Sequence, residues 1–284
     1  MKSISVKLKR ATGHSAGAWL LSLLVLAFIL VQLTPLYFMI SNSIKTKDAY
    51  LQNAYNLPAH AYFGNYAKII TEFDFPRMFS NSFFLTIVSV LICGYLGVLA
   101  AFAAGKFNFK GRSLVNIMIL PLMSIPGVVL LIPLFVFFSK LHMIDSLWTV
   151  TLIYIGLILP FTVNILSSFM SSVPNSLIEA SLMDGCGFFR TFNRIVFPLV
   201  APGFSAAAIV NAMWIWNELL IVSVFTQSDA KRTLILDLIS LQGRFSVDIP
   251  LLMAGAAVSS IPIILLYLLS QKWFIRGLVV GGEK

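Results

Sequence analysis

Six long apolar runs, near residues 18–41, 79–104, 114–138, 147–169, 200–225 and 251–274, are separated by polar stretches of unequal length. Each run approaches or exceeds the roughly 20 residues a helix needs to cross a hydrocarbon core. None shows the every-other-residue alternation of a barrel strand, and backbone amides in a bilayer have to be satisfied locally, so the runs predict helices. The expected fold is an all-α integral membrane protein with six transmembrane helices and both termini on one side.

Composition sharpens this. The chain is 58% hydrophobic and 11% charged, whereas soluble domains carry about 25% charged residues. Its net charge of +9 sits in short loops between apolar runs, which explains it by membrane orientation and not by nucleic-acid binding. Twelve of the 20 basic residues (Lys2, Lys7, Lys9, Arg10, Lys106, Lys110, Arg112, Arg190, Arg194, Lys272, Arg276 and Lys284) fall on the side that also holds both termini. That side is expected to be cytoplasmic. The first run, from Ala18 to Ile40, exceeds the roughly 7–15 residues of a signal-peptide core, so it reads as a retained span.

The organisation expected is a tail, first helix and first outer loop over 1–78, a five-helix core over 79–275, and a tail over 276–284. The first outer loop is rich in Tyr and Phe, which prefer the membrane interface. The third run holds Pro121, Pro126, Gly127 and Pro133. Such a helix is expected to be broken and to face the bundle interior, the alternative being a kink without contact to any solute.

Between the fourth and fifth runs lies "PNSLIEASLMDGCGFFRTFNRIVFPLVAPG", residues 174–203. Ser176 and Glu179 have capping-box spacing and predict a helix starting at Leu177. Gly185 follows Asp184 where a left-handed residue stops a helix, giving about eight residues. A second short helix is expected from Phe188 to about Phe197, with Arg190 and Arg194 one turn apart and Pro198 opening the next span. Helices this short are marginal alone, so the first must pack on something. Its Leu177, Ala180 and Ser181, or Ile178 and Leu182, offer apolar faces for another protein or for its own bundle.

Glu218 is the clearly acidic residue within a run, and such groups usually face a cavity or a partner. Asn211, Trp214, Trp216 and Asn217 share its segment; aromatic faces and amides suit a sugar-conducting path, while helix–helix hydrogen bonding is the other reading.

Much chemistry is excluded. No Gly-x-x-x-x-Gly-Lys-Ser/Thr sequence is present, so ATP would have to be bound elsewhere. His14, His60 and His142 are scattered, and Cys93 and Cys186 are far apart, which argues against a metal site, a disulfide or a His-dependent triad. An intramembrane enzyme finds no constellation at depth.

Glu179-Ala180-Ser181, Gly185 and Ile195-Val196-Phe197-Pro198 resemble the "EAA…G…I.LP" signature of permease subunits of bacterial binding-protein-dependent ABC importers, with Ser181 and Phe197 as mild departures. The resemblance implies that loop 174–200, between helices 4 and 5, is a coupling helix docking on an ATPase. It implies Ser176, Glu179, Ala180, Ser181, Asp184, Gly185, Arg190 and Arg194 as the coupling residues. "FGNYAKII", Asn81-Ser82, Trp216-Asn217-Glu218 and the terminal "QKWFIRGLVVGGEK" are similar to the second membrane subunit of the maltose-type, carbohydrate-importing branch, although the last four residues match only partly. That similarity implies a multi-pass protein of the bacterial inner membrane importing a sugar or oligosaccharide. Its implied partners are a second homologous permease, two cytoplasmic ATPase subunits that use ATP and Mg, an extracytoplasmic solute-binding protein and lipid, with no cofactor on this chain. The competing reading is an ion-gradient-driven secondary transporter, which would be expected to show two related halves with charged or unwound residues near the midplane.

Overall fold

The computed structural model describes residues 16–240 and 248–282, with side chains described for 17–239 and 248–271. Among the described residues the regular structure is helical: α1 (Ala16–Ser43), α2 (Lys47–Gln52), α3 (Gly64–Glu72), α4 (Phe75–Lys106), α5 (Arg112–Met123), α6 (Gly127–Lys140), α7 (Leu147–Ser171), α8 (Asn175–Met183), α9 (Phe188–Thr191), α10 (Phe197–Trp216), α11 (Leu220–Phe225), α12 (Leu234–Ser240) and α13 (Ile249–Gly282). A π-helical turn, Phe192–Val196, joins α9 to α10. Lys2, Lys7, Lys9, Arg10 and the last two residues, on which part of the expected orientation rests, lie outside the described residues, as do the side chains of Lys272 and Arg276.

Five segments are long and apolar enough to cross a membrane, and α5 with α6, bent by 103° at a short break, makes a sixth. The bent pair does cross. At the end of α4, Lys106 Nζ donates to the Val173 carbonyl (2.6 Å) and Asn175 Oδ1 (3.0 Å), so α4 and α7 finish at the same end of the bundle. The pair begins there, because Arg112 Nε donates to the Ala104 carbonyl at 2.7 Å. It leaves at the opposite end: just past α6 the Asp145 amide donates to the Phe225 carbonyl (2.9 Å), and Asp145 Oδ1 accepts from the Gln227 (2.9 Å) and Ser228 (3.0 Å) amides. Two amides on one carboxylate oxygen hold the Asp145 carboxyl below the usual range, the Ser228 amide contributing most.

The centre is α4, α7 and α10. Small residues set their distance: a side chain on Gly97 would meet the Thr162 methyl at 2.6 Å, and the Phe169 ring covers Gly203. Because α4 and α7 press together, no space remains between them for the proline-rich span. It lies on the flank, with no buried residue in α5 and only Phe138 in α6. The expectation that this span faces the interior of the bundle is corrected for α5, whereas α6 buries Phe138 and sets Leu131, Leu134 and Phe135 against the core. The break itself falls at Ser124, Ile125 and Pro126, where proline chemistry called for one.

Three further differences have local causes. The run expected at 200–225 is two pieces, since α10 stops at Trp216 and α11 starts at Leu220. The expected short helix at 188–197 does not end before a new span; Phe188 to Trp216 is one 29-residue helical segment. Its π turn sits just before Pro198, which has no N–H for the Arg194 carbonyl, and Phe197 N–H reaches back to Phe192 instead. The last helix runs through Gly282, beyond the tail boundary drawn at 276, because no proline follows Pro262.

At the end opposite α8, amide side chains tie the connections down. Asn65 Nδ2 donates to the carbonyls of Ser43 (2.9 Å) and Lys45 (2.8 Å), and Asn81 Nδ2 to those of Ala230 (3.0 Å) and Arg232 (2.8 Å). Ser82 Oγ accepts the Leu234 amide at 3.0 Å. Lys45 is buried, its ammonium caged by Asn42 Oδ1 and the carbonyls of Asn53 and Ala54, and burial keeps its pKa below the usual lysine value.

Candidate functional site

Two constellations stand out, one at each end of α10. The first is α8 with the turn after it. The helix starts at Asn175, ahead of the Leu177 that the capping box predicts, with Pro174 at its N-cap and no side-chain cap bond. Ser176 thus lies inside the first turn, and its pairing with Glu179 does not form. The stop is as predicted: Gly185 has φ +76, in the left-handed region, and Cys186 N–H bonds back to the Ser181 carbonyl at 2.9 Å.

One face of α8 belongs to the bundle. Ile178 is buried among Val98, Phe102, Met170, Phe192 and Val196, a burial worth about 1.5–3 kcal/mol. Ser181 is buried too, its hydroxyl donating to the Ile178 carbonyl and sharing a 2.8 Å hydrogen bond with Thr191 Oγ1. Ser181 is therefore removed from any docking face; it fastens α8 to the root of α10. The other face is open. Ser176, Glu179, Ala180, Asp184, Gly185, Arg190 and Arg194 are exposed, and so are Leu182 and Met183, the latter at 88%. The helix both folds back on its own bundle and presents a mixed apolar and charged surface.

The second constellation is the break between α10 and α11. The Glu218 carboxylate accepts the Tyr154 hydroxyl at 2.7 Å and the Ile221 amide at 3.0 and 3.1 Å, with the Val222 amide at 3.4 Å. A carboxylate serves here because it accepts only and can take several donors at once. Tyr154, fully buried on α7, also presents its ring edge-on to Trp214 at 5.7 Å between centroids. Trp214, Asn217 and Glu218 line a cavity of about 420 Å³ together with Gly127 and Val128 from the start of α6. Asn211 and Trp214 line a second, of about 320 Å³, that shares Gly127. The broken span thus faces the broken end of α10, and four of the five residues singled out from the sequence meet there.

Trp216 does not join them. It is buried, donates from Nε1 to the Ser259 carbonyl at 3.0 Å and packs edge-on against Phe79. Asn211 is largely buried as well, its Nδ2 donating to Thr162 Oγ1 at 2.8 Å. Sequence reasoning missed Tyr154, and it named Gly127 only as part of the broken span and not beside Trp214. The signal for Tyr154 was a hydroxyl-bearing ring within an apolar run.

Comparison with known proteins identifies the family. Residues 95–280 match the family described as binding-protein-dependent transport system inner membrane component. The arabinooligosaccharides transport system permease protein AraQ of Bacillus subtilis is 30% identical over 273 residues, covering 93% of this chain and 95% of that one. The diacetylchitobiose uptake system permease protein DasC of Streptomyces coelicolor is 31% identical over 252 residues, covering 88% and 91%. A chain of a bacterial ABC transporter involved in import of the acidic polysaccharide alginate shares the fold, with a TM-score of 0.83 at 21% identity over 93% of this chain and 98% of that one. An ion-gradient-driven secondary transporter is set aside by these matches. Since the family match spans more than half of the sequence, the chain belongs to the binding-protein-dependent transport system inner membrane components, the permease subunits of ABC importers.

Proposed function

We propose that this permease imports a carbohydrate, with the cavity at the α10–α11 break on the solute path and the open face of α8 as the seat of a cytoplasmic ATPase. The observation that carries the solute class is the pairing of an exposed Trp214 ring with the Asn217 amide at one cavity wall. Ring faces stack on sugar C–H surfaces and amides bond hydroxyls. The relatives' names, arabinooligosaccharides and diacetylchitobiose, point the same way. Glu179, Ala180, Asp184 and Gly185 form the centre of the ATPase seat, flanked by Arg190 and Arg194. On this reading hydrolysis belongs to the partner, with its ATP and Mg. A second permease subunit covers the flank of α5 and α6, and a solute-binding protein delivers from outside. The α8 end, and with it both termini, faces the cytoplasm.

Reconstitution with the partner subunits and a solute-binding protein tests the solute class. Uptake of labelled oligosaccharide that falls at least about tenfold on Trp214→Ala, with ATPase retained on the complex, is the expected result. Absence of oligosaccharide uptake by the complete wild-type importer would overturn it. The side is read separately: cysteines at Asn56 and Ser228 should react with an impermeant thiol reagent from outside intact cells and one at Lys110 should not.

A further inference from the structure

Near the α8 end a third cavity, of about 360 Å³, opens between α4, α5 and α7; Arg112, Asn116, Asn164, Ser167 and Ser171 share its wall with Ile119 and Leu120. Asn164, Ser167 and Ser171 recur at three and four residues, so α7 presents them on one face. Asn164 lies seven residues from the end of α7, about 10 Å into the helix. The side chains of Asn116, Asn164 and Ser167 have no hydrogen-bond partner among the described residues. Two bare amides and a hydroxyl facing hydrocarbon would each forfeit the hydrogen bonds water gives them. They need a wet or polar occupant.

Its chemistry can be narrowed. Arg112 is turned toward the α4–α5 connection: Nε donates to the Ala104 carbonyl, one terminal nitrogen to Asn108 Oδ1 at 2.7 Å, the other to the Gly105 carbonyl at 3.2 Å. The groups deeper in the wall, Asn116, Asn164 and Ser167, are neutral and able both to donate and to accept, which matches the hydroxyls of an uncharged sugar. The cavity also continues the line of the two at the other end: α7 contributes Leu157 and Phe161 to the middle one and Asn164 and Ser167 to this one.

We propose that Asn116, Asn164 and Ser167 form the wet inner wall of the conduction path, handing a neutral polyhydroxyl solute from the Trp214 cavity to the α8 side. This rests on the carbohydrate-importer reading for the solute, but not for the wetness of the wall. In the assembled importer with Cys93 and Cys186 replaced by serine, Asn164→Cys and Ser167→Cys should react with a methanethiosulfonate ethylammonium probe in inside-out vesicles. They should do so at least about tenfold faster than Met118→Cys, which sits on the far side of α5 from Asn116. Rates no faster than at 118, in both the nucleotide-free and the nucleotide-trapped importer, would overturn the proposal. Asn164→Leu should lower maltodextrin uptake at least about tenfold while leaving subunit assembly unchanged. Loss of assembly instead would make the strip an adhesive for a neighbouring helix and also overturn it. A wild-type importer that labels as expected but takes up no oligosaccharide refutes the solute class alone.

Discussion

The two ends of α10 are built differently. At the α8 end the chain stays helical from Phe188 through the π turn into the span, and α8 is fixed beside it by Ile178 and the Ser181–Thr191 hydroxyl pair. At the other end the helix stops at Trp216, and a carboxylate gathers the loose amides of the next segment. A continuous helix passes a push along its axis, whereas an interrupted one gives way locally and leaves room beside the break. The first end is thus suited to receive movement and the second to surround a solute.

The strongest way to break this contrast is Gly185→Asp. Aspartate at φ +76 costs about 1 kcal/mol or more, yet a Cβ added there meets nothing within 4 Å in this chain. Harm must then come from what docks on the turn. The variant should reach the membrane at near-normal levels and still pair with its permease partner. Transport should fall by about a hundredfold or more, and the ATPase should be lost on purification, because a second carboxylate beside Asp184 repels and obstructs at an interface. Normal co-purification and uptake would mean that this face of α8 contacts no ATPase.

A smaller effect is expected at the other end. Glu218→Ala leaves the Tyr154 hydroxyl and the Ile221 amide unpaired, at about 1–3 kcal/mol for each group not rescued by water. Its thermal midpoint should drop by several degrees, and uptake should fall about tenfold as Trp214 loses the Tyr154 edge that orients it. Glu218→Gln, which keeps one acceptor oxygen, should recover part of both. If Glu218→Ala retains wild-type stability but loses uptake, the carboxylate touches the solute directly and is not the clasp of the break.

The smallest effect concerns Asp145, which joins the loop after α6 to the loop after α11. Its folded pKa is depressed, so its contribution is present above the unfolded value near 3.9 and is lost as pH falls through the folded value. Asp145→Asn should lower the thermal midpoint by about 1–2 °C at pH 7, and the gap to wild type should close below about pH 4. A gap that widens in acid would show that the two amides are not what holds the carboxylate.

The crossings were legible because each is a long, predominantly apolar run, and the break at Pro126 because proline removes an amide donor. The break after Trp216 was not legible. Asn217 and Glu218 carry no glycine or proline, and only Tyr154, 64 residues away, shows why a carboxylate is stationed there. The inward turn of Ser181 was hidden for the same reason, since its partner Thr191 lies beyond the glycine stop. The capping box failed because Pro174 already fixes a helix start, leaving Ser176 within the first turn. Sequence spacing thus located the docking turn but could not say which of its residues face the bundle.

The 103° bend has a consequence for biogenesis. With 12 and 14 residues, α5 and α6 are each about 20 Å long, well short of a hydrocarbon core of about 30 Å. Neither can be stored in lipid as a finished span while the ribosome makes the rest. The carbonyls freed at Pro126 also need cover that lipid does not give. That cover comes from α7, against which α5 packs, so the third crossing is completed only by the fourth.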